Sequence, residues 1–313
     1  MAYSPQLCFF RVTDDSIDPR WLYYWLGGRE FWMQSTGVST QTDMAPYISL
    51  RDLRAISVSL PSRGVQRGIA ETLGALDDKI ESNRRAVGLI ESLLMLEFQR
   101  VISTGEVVEA PLSELVSIVK GVSYKSVDLR PSRTSLVTLK SFDRTGGYKA
   151  NGLKPYAGPY KPHQVVEPGE LVIAQTDLTQ GAEVVGRAVR VPADPSADTL
   201  VASLDLVIVR PIGEMTPEYL QGIVTDEAFR EFCRSRTSGT TVLHLASNAI
   251  STYDAPLVSA HAQHEYTKFA RPLIQRADSL NREIERLAEA RDTLLPELLS
   301  GRIRVREAAE VLA

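Results

Sequence analysis

The residues best suited to chemistry in this sequence are basic and aromatic side chains crowded into one stretch. Between Lys120 and Lys161 stand Lys120, Lys125, Arg130, Arg133, Lys140, Arg144, Lys149, Lys154 and Lys161, opposed only by Asp128 and Asp143. Tyr124, Phe142, Tyr148, Tyr156 and Tyr160 are interleaved with them, and Gly121, Gly146, Gly147, Gly152 and Gly158 suit loops that approach a duplex closely. Lys and Arg on one surface neutralise phosphates and release counterions, while Tyr reaches sugars, phosphates or thymine methyls. The stretch carries a net charge of +7 inside a 313-residue chain of formal charge −4, so the remainder sums to −11. Binding follows the local charge rather than the whole-chain number. A second polar run, Arg234-Ser235-Arg236-Thr237-Ser238-Gly239-Thr240-Thr241, offers guanidinium and hydroxyl groups to phosphate oxygens. The candidate DNA contacts are therefore Lys120, Tyr124, Lys125, Arg130, Arg133, Lys140, Arg144, Lys149, Tyr156, Lys161, Arg234, Arg236 and Thr240. The plain alternatives are a solvated, loop-rich surface and a helix C-terminus whose arginines only complement its dipole.

Catalytic signatures are missing from the sequence. It has no GxxxxGK[ST] phosphate loop, no GxGxxG turn after a strand, and no Asn/Asp-Pro-Pro-aromatic motif of amino-methyltransferases. Asp18-Pro19-Arg20-Trp21 does not qualify, because Arg20 replaces the second proline. His163, His244, His261 and His264 make no zinc motif, although His261 and His264 are spaced i, i+3 at a helix start. His244, Ser247 and Asp254 lack any nucleophile elbow. The expectation is no catalytic residue and no metal site. Cys8 and Cys233 stand far apart and read as reduced thilols of a cytoplasmic protein. No apolar run reaches the roughly 18 to 20 residues of a membrane span, and residues 1–10 lack a signal-peptide pattern. Hydrophobic residues at 43% and charged ones at 24% are ordinary for a soluble globular protein.

Two long helices are expected to position the basic region. From about Val65 to Ile102, apolar residues fall at Ile69, Leu73, Leu76, Ile80, Val87, Ile90, Leu94 and Val101, with Asn83 at one seam position. From about Ala262 to Leu299 the seam is Tyr266, Phe269, Leu273, Leu280, Leu287, Ala290 and Leu294. The 3.5-residue period favours two helices packed on each other, and ordinary amphipathic helices on a core are the alternative. Asn83 either fixes register or is a solvated defect. Residues 111–260 read as a mixed α/β domain with strands at 135–139, 171–174, 184–191 and 204–209 and a helix over 217–234.

The sequence also repeats itself. Pro19-Arg20-Trp21-Leu22 and Phe31 match Pro217-Glu218-Tyr219-Leu220 and Phe229 at an offset of 198. Polar loops follow at 35–40 and 238–241, then strand-like segments 56–60 and 255–258. Gln66 and Gln263 each open a long helix, and Gly105 and Gly301 close them. This is one and a half repeats, the second copy having about a hundred further residues upstream.

The arrangement resembles the specificity subunits of Type I restriction-modification systems. The carrying residues are Ser238-Gly239-Thr240-Thr241 through Leu245 to Pro256, then Gln263 and the ending Leu294-Leu295-Pro296-Glu297-Leu298-Leu299-Ser300-Gly301. Leu60-Pro61, Gln66, Ile69-Ala70, Leu73 and Leu76-Asp77 carry it in the first copy. Glu170-Leu171-Val172-Ile173-Ala174 after Pro168-Gly169 is similar to the family's Gly-Asp-aliphatic strand, with Glu170 in place of Asp. The resemblance implies an α/β fold with an antiparallel coiled coil. Its expected divisions are 1–64, the distal part of a first target recognition domain shortened at its N-terminus; 65–105, the first conserved helix; 111–260, a complete recognition domain; 262–301, the second helix; and a tail, 302–313. It further implies a non-catalytic subunit that reads double-stranded DNA and docks methyltransferase and restriction subunits in phage defence, with self-association a further possibility and no membrane partner. S-adenosylmethionine, ATP and magnesium then belong to partner subunits, none to this chain. The competing reading is a coiled-coil scaffold whose recognition domain no longer reads DNA.

Overall fold

The structure is a computed structural model that describes residues 7–38, 47–143, 147–179, 181–194 and 197–306. In chain order the helices and strands are α1 (Pro19–Gly27), α2 (Arg29–Val38), α3 (Leu50–Ala55), α4 (Arg63–Thr104), β1 (Val108–Pro111), α5 (Leu112–Leu115), β2 (Val116–Lys120), β3 (Thr134–Val137) and β4 (Lys154–Pro155). There follow β5 (Leu171–Ala174), β6 (Thr176–Asp177), β7 (Ala188–Arg190), β8 (Thr199–Ala202), β9 (Leu206–Pro211), α6 (Pro217–Thr225), α7 (Glu227–Ser235), β10 (Thr237–Ser238), β11 (Leu243–Leu245), β12 (Asp254–Leu257) and α8 (Ala260–Leu299). The chain divides into two compact units, one of residues 1–88 and 279–313, the other of residues 89–278. Both long helices contribute to each.

In the first unit, α1 begins where Asp18 accepts hydrogen bonds from the Arg20 and Trp21 N–H groups, with Pro19 in the first turn. Trp21, Tyr24 and Trp25 then pack against Ile69, Ala70, Leu73 and Leu76 of α4 and Leu294 and Leu298 of α8. Lys79 pairs with Glu283, and Arg291 with Asp77, so the two helix halves run antiparallel. Residues 89–104 and 260–278 do the same in the second unit, where the Tyr266 hydroxyl donates to the Leu94 carbonyl and the Phe98 and Tyr266 rings meet edge to face. The fold is mixed α/β with an antiparallel pair of long helices, as the 3.5-residue period implied. Asn83 is buried in the seam, yet its Nδ2 has no hydrogen-bond partner among the described residues. Burial is therefore clear, and no bond from that amide nitrogen sets the register.

The second unit is built on a four-stranded antiparallel sheet of order β2-β9-β5-β7. Side chains alternate across it. Leu171, Ile173, Val207 and Val209 join Tyr219, Leu220 and Ile223 of α6 in one core, while Val172, Ala174, Leu206 and Ile208 join Val137, Leu200 and Ala202 in another. The second core is closed by the sheet β4-β3-β8. Two smaller sheets, β10-β11-β6 and β1-β12, complete the unit.

Four sequence expectations are corrected. The helix expected over 217–234 is two, because the Asp226 carboxylate accepts the Ala228 N–H and caps a new helix after extended backbone at 226. Of the strand expected over 184–191 only β7 forms, since the Asp177 carboxylate draws the Val184 and Val185 N–H groups into a turn. Residues 56–60 have no strand assigned, whereas the equivalent β12 has β1 beside it. Residues 35–38, expected in a polar loop, end α2, and Ser39 and Thr40 lie outside the described residues.

The repeat is built in atoms. Buried Gln66 accepts the Asp18 N–H (2.8 Å) and donates to the Ser16 and Pro61 carbonyls. Buried Gln263 accepts the Thr216 N–H (3.3 Å) and donates to the Val258 carbonyl. Each glutamine thus ties the cap of a short helix to the first turn of a long one.

Candidate nucleic-acid interface

Strand register decides which basic residues share an end of the sheets. Lys120 lies opposite Val207 and Ala174 opposite Leu206, while Arg187, just before β7, is held at the same end because its carbonyl accepts the Ala174 N–H (3.0 Å). The Val122 N–H donates to the Ala202 carbonyl (2.7 Å), bringing the ends of β3 and β8 to that end as well. Lys140 projects from the turn after β3 and is exposed. Lys149 is tied to it by its N–H to the Ser141 carbonyl, and its ammonium pairs with Asp143 at 2.6 Å. Lys161 joins Lys120 through Gln164, which accepts the Lys161 N–H and donates to the Lys120 carbonyl (3.3 Å).

The hairpin of β10 and β11 extends from this end, because β11 pairs with β6, which follows β5 directly. Thr240 lies in its loop, while Arg236, the residue after α7, and Arg234, in the last turn of α7, lead into it. Gly239 at its tip has φ +124°, and a Cβ there would fall 2.1 Å from the Val242 carbonyl oxygen, so the tight tip requires glycine. The Arg236 guanidinium carbon lies over the Phe232 ring, 3.4 Å from its centroid. Arg234 pairs with Glu227 at 3.2 Å.

Two arginines of this end escaped the sequence reading. Arg187 Nε and Arg230 Nη2 both donate to the Glu183 carbonyl, at 2.5 and 3.2 Å. Burial, then the neighbouring Arg234 charge, lowers the Arg187 pKa, against the pull of Glu227, Asp143 and Glu183. Arg230 is lowered by burial and then by Arg187 and Arg234. Guanidinium groups in mutual repulsion are stabilised by an anion placed among them. No local pattern announces them, since they stand 43 positions apart and meet only through the Glu183 carbonyl.

The remaining candidates divide. The Ala157 N–H donates to the Asp128 carbonyl and the Tyr156 N–H to the Thr134 carbonyl, so the loop carrying Lys125 and Arg130 lies beside the start of β3, the end opposite Lys140. Arg133 is there too, in a bidentate pair with Asp198. Tyr124 is half-buried with the Lys154 ammonium over its ring. The basic stretch therefore does not form one face. Tyr156 is a correction: it is 1% exposed, packed with Val122, Leu136 and Val201, and its hydroxyl donates to the Pro159 carbonyl. An aromatic amid basic residues was needed for the core. Arg144 lies outside the described residues. Among the described residues, no three His, Cys, Asp or Glu side chains are grouped to hold a metal ion, and no helix is long and apolar enough to cross a membrane.

A crystal structure of a Type I restriction-modification system S subunit from M. genitalium aligns with a TM-score of 0.56 at 18% identity, over 90% of this chain and 73% of that one. The chain has the fold of a Type I restriction-modification S subunit. The HsdS subunit from Thermoanaerobacter tengcongensis aligns at TM-score 0.40 and 16% identity, over 92% of this chain and 72% of its own. A chain from a structure of the type I R-M system aligns at 0.41 and 16%, over 90% and 70%. No protein-family model matches the sequence. No curated protein matches it. The second unit thus gathers Lys120, Lys140 and Arg187 at one end of its sheets, and Arg230 and Arg234 of α7 join them through the Glu183 carbonyl and Glu227.

Proposed function

We propose that this chain is the DNA-reading subunit of a Type I restriction-modification complex, with no catalytic residue of its own. The S-subunit fold over 90% of the chain carries the reading. The cationic sheet end supports it, for Lys120, Lys140 and Lys161 are exposed and pair with no carboxylate among the described residues. Phosphates are its natural ligand, and the Arg236 hairpin supplies groups that can reach base edges. The docking half of the reading concerns α4, where Leu89, Leu93 and Leu96 form an exposed apolar stripe spaced four and three. Methyltransferase and restriction subunits are the partners expected there, in the cytoplasm. S-adenosylmethionine, ATP and magnesium are assigned to those partners.

Co-purification with a methyltransferase subunit, followed by mapping of methylated sites, tests this. A defined recognition motif is the expected result. A complex that forms but methylates at no defined sequence would favour the second reading, a scaffold that keeps the α4 stripe and no longer reads DNA. Absence of both complex and DNA binding would overturn the proposal.

A further inference from the structure

Three unfavourable features of the second unit meet at one place, around the Glu183 carbonyl. The first is backbone. Ala182 has φ +49°, the one positive φ outside glycine among the described residues, and a side chain with a Cβ rarely adopts it. It directly precedes Glu183, whose carbonyl accepts from Arg187 Nε and Arg230 Nη2. The second is a lone donor. Arg230 Nε is buried and has no hydrogen-bond partner among the described residues, a state that folded proteins seldom tolerate.

The third is charge. Arg230 and Arg234 stand one turn apart on α7, with Cys233 between them. Gly186 packs on that cysteine: it has φ +75°, and a Cβ there would fall 2.5 Å from the Cys233 Cβ. This close approach brings Arg187 against both arginines, and their charges, after burial, lower its pKa and that of Arg230. Glu227 is shared, at 3.8 Å from Arg230 and 3.2 Å from Arg234. Half-buried arginines that hold this unit together are matched differently. Arg190 has Asp278 and Arg210 has Glu170, one carboxylate to each cation. Strain, an unmet donor and crowded like charges persist together where a ligand relieves them.

We propose that Arg187, Arg230 and Arg234 form a recess for a single tetrahedral oxyanion, occupied by one phosphodiester of the DNA backbone. The identity of the occupant rests on the DNA reading above; the recess itself rests on the three features. Phosphate oxygens give the Arg230 fork the acceptor it lacks, and their charge offsets the repulsion. A phosphate held at one fixed point sets the register of the duplex, leaving base edges to the β10–β11 hairpin.

Two measurements on the full chain test this. In the first, inorganic phosphate replaces chloride at constant ionic strength while the Nε–H resonances of Arg187, Arg230 and Arg133 are followed by NMR. Arg187 and Arg230 are expected to shift together along one saturating curve, with Arg133, held by Asp198, unmoved. Shifts that never saturate, or that Arg133 shares, mean screening at a charged surface and overturn the proposal. In the second, affinity for a random-sequence duplex is followed as salt is raised. Arg187→Gln/Arg230→Gln is expected to flatten the log–log slope by about 0.9, the loss of one phosphate contact, and a loss of about 1.8 or of nothing overturns the shared recess. If the double variant fails to fold, the NMR titration of the unaltered chain decides. Salt-dependent duplex binding with neither effect removes the recess and leaves the DNA reading standing. Saturating shifts in a chain that binds no duplex overturn DNA as the occupant, and the DNA reading with it.

Discussion

Residues 14–22 and 212–220 are built alike, and the segments just before them are not. In both copies a capped helix follows a turn and is held by a buried glutamine from the first turn of a long helix. Before that turn, one copy has a central strand and the other a segment, residues 7–13, with no strand assigned and with Leu7, Phe9 and Phe10 exposed. The difference teaches which parts of the fold stand on local contacts. A helix satisfies its own backbone and needs one apolar face covered, while a strand depends wholly on neighbours distant in sequence.

The largest effect that could break this comparison is a charge placed at equivalent positions. Ile208→Asp buries a carboxylate between β2 and β5 and is expected to cost about 4 kcal/mol or more. Phe10→Asp, its counterpart, is expected to stay within about 0.5 kcal/mol. Denaturant unfolding measures both, and equal losses would show that residues 7–13 are packed as tightly as β9. Next comes the clamp. Gln66→Ala strips three backbone partners and Gln263→Ala two, at about 1–3 kcal/mol each, Gln66 costing more.

The smallest effect sharpens the contrast through pH. Burial raises the Asp177 pKa, but bonds from the Val184 N–H, the Thr179 hydroxyl and N–H, and the Val185 N–H outweigh it, and the carboxyl titrates below its usual 3.8. A depressed folded-state pKa stabilises the fold above the unfolded value, and that stability is lost as pH falls through the folded one. Acid should therefore loosen the turn at 178–185, read as faster exchange at the Val184 and Val185 amides. Asp177→Asn should remove that acid dependence.

Much of this was legible in the sequence, for reasons particular to each part. Ile69, Leu73, Leu76 and Ile80 are buried because a helical seam is written in local spacing. Leu171 to Ala174 stand out as an unbroken apolar run, which a strand covered on both faces requires. Sheet order was not legible, since β9 lies between β2 and β5 through pairings some 35 and 90 residues apart that no local pattern encodes. Tyr156 was misplaced because composition cannot tell an aromatic needed by a core from one offered to a ligand. Arg187 and Arg230 were missed because a cation cluster assembled across β7 and α7 leaves no motif.

The central claim, that the cationic sheet end of the second unit grips DNA, is tested most directly by the affinity for a random-sequence duplex as salt is raised. Log affinity should fall linearly with log salt, and replacing Lys120, Lys140, Arg234 and Arg236 together by Ala should flatten the slope by about 0.9 for each phosphate contact removed. Arg133→Ala, whose cation is already held by Asp198, should change the slope far less. Binding indifferent to salt, or a fourfold variant with the slope of the unaltered chain, would contradict the account.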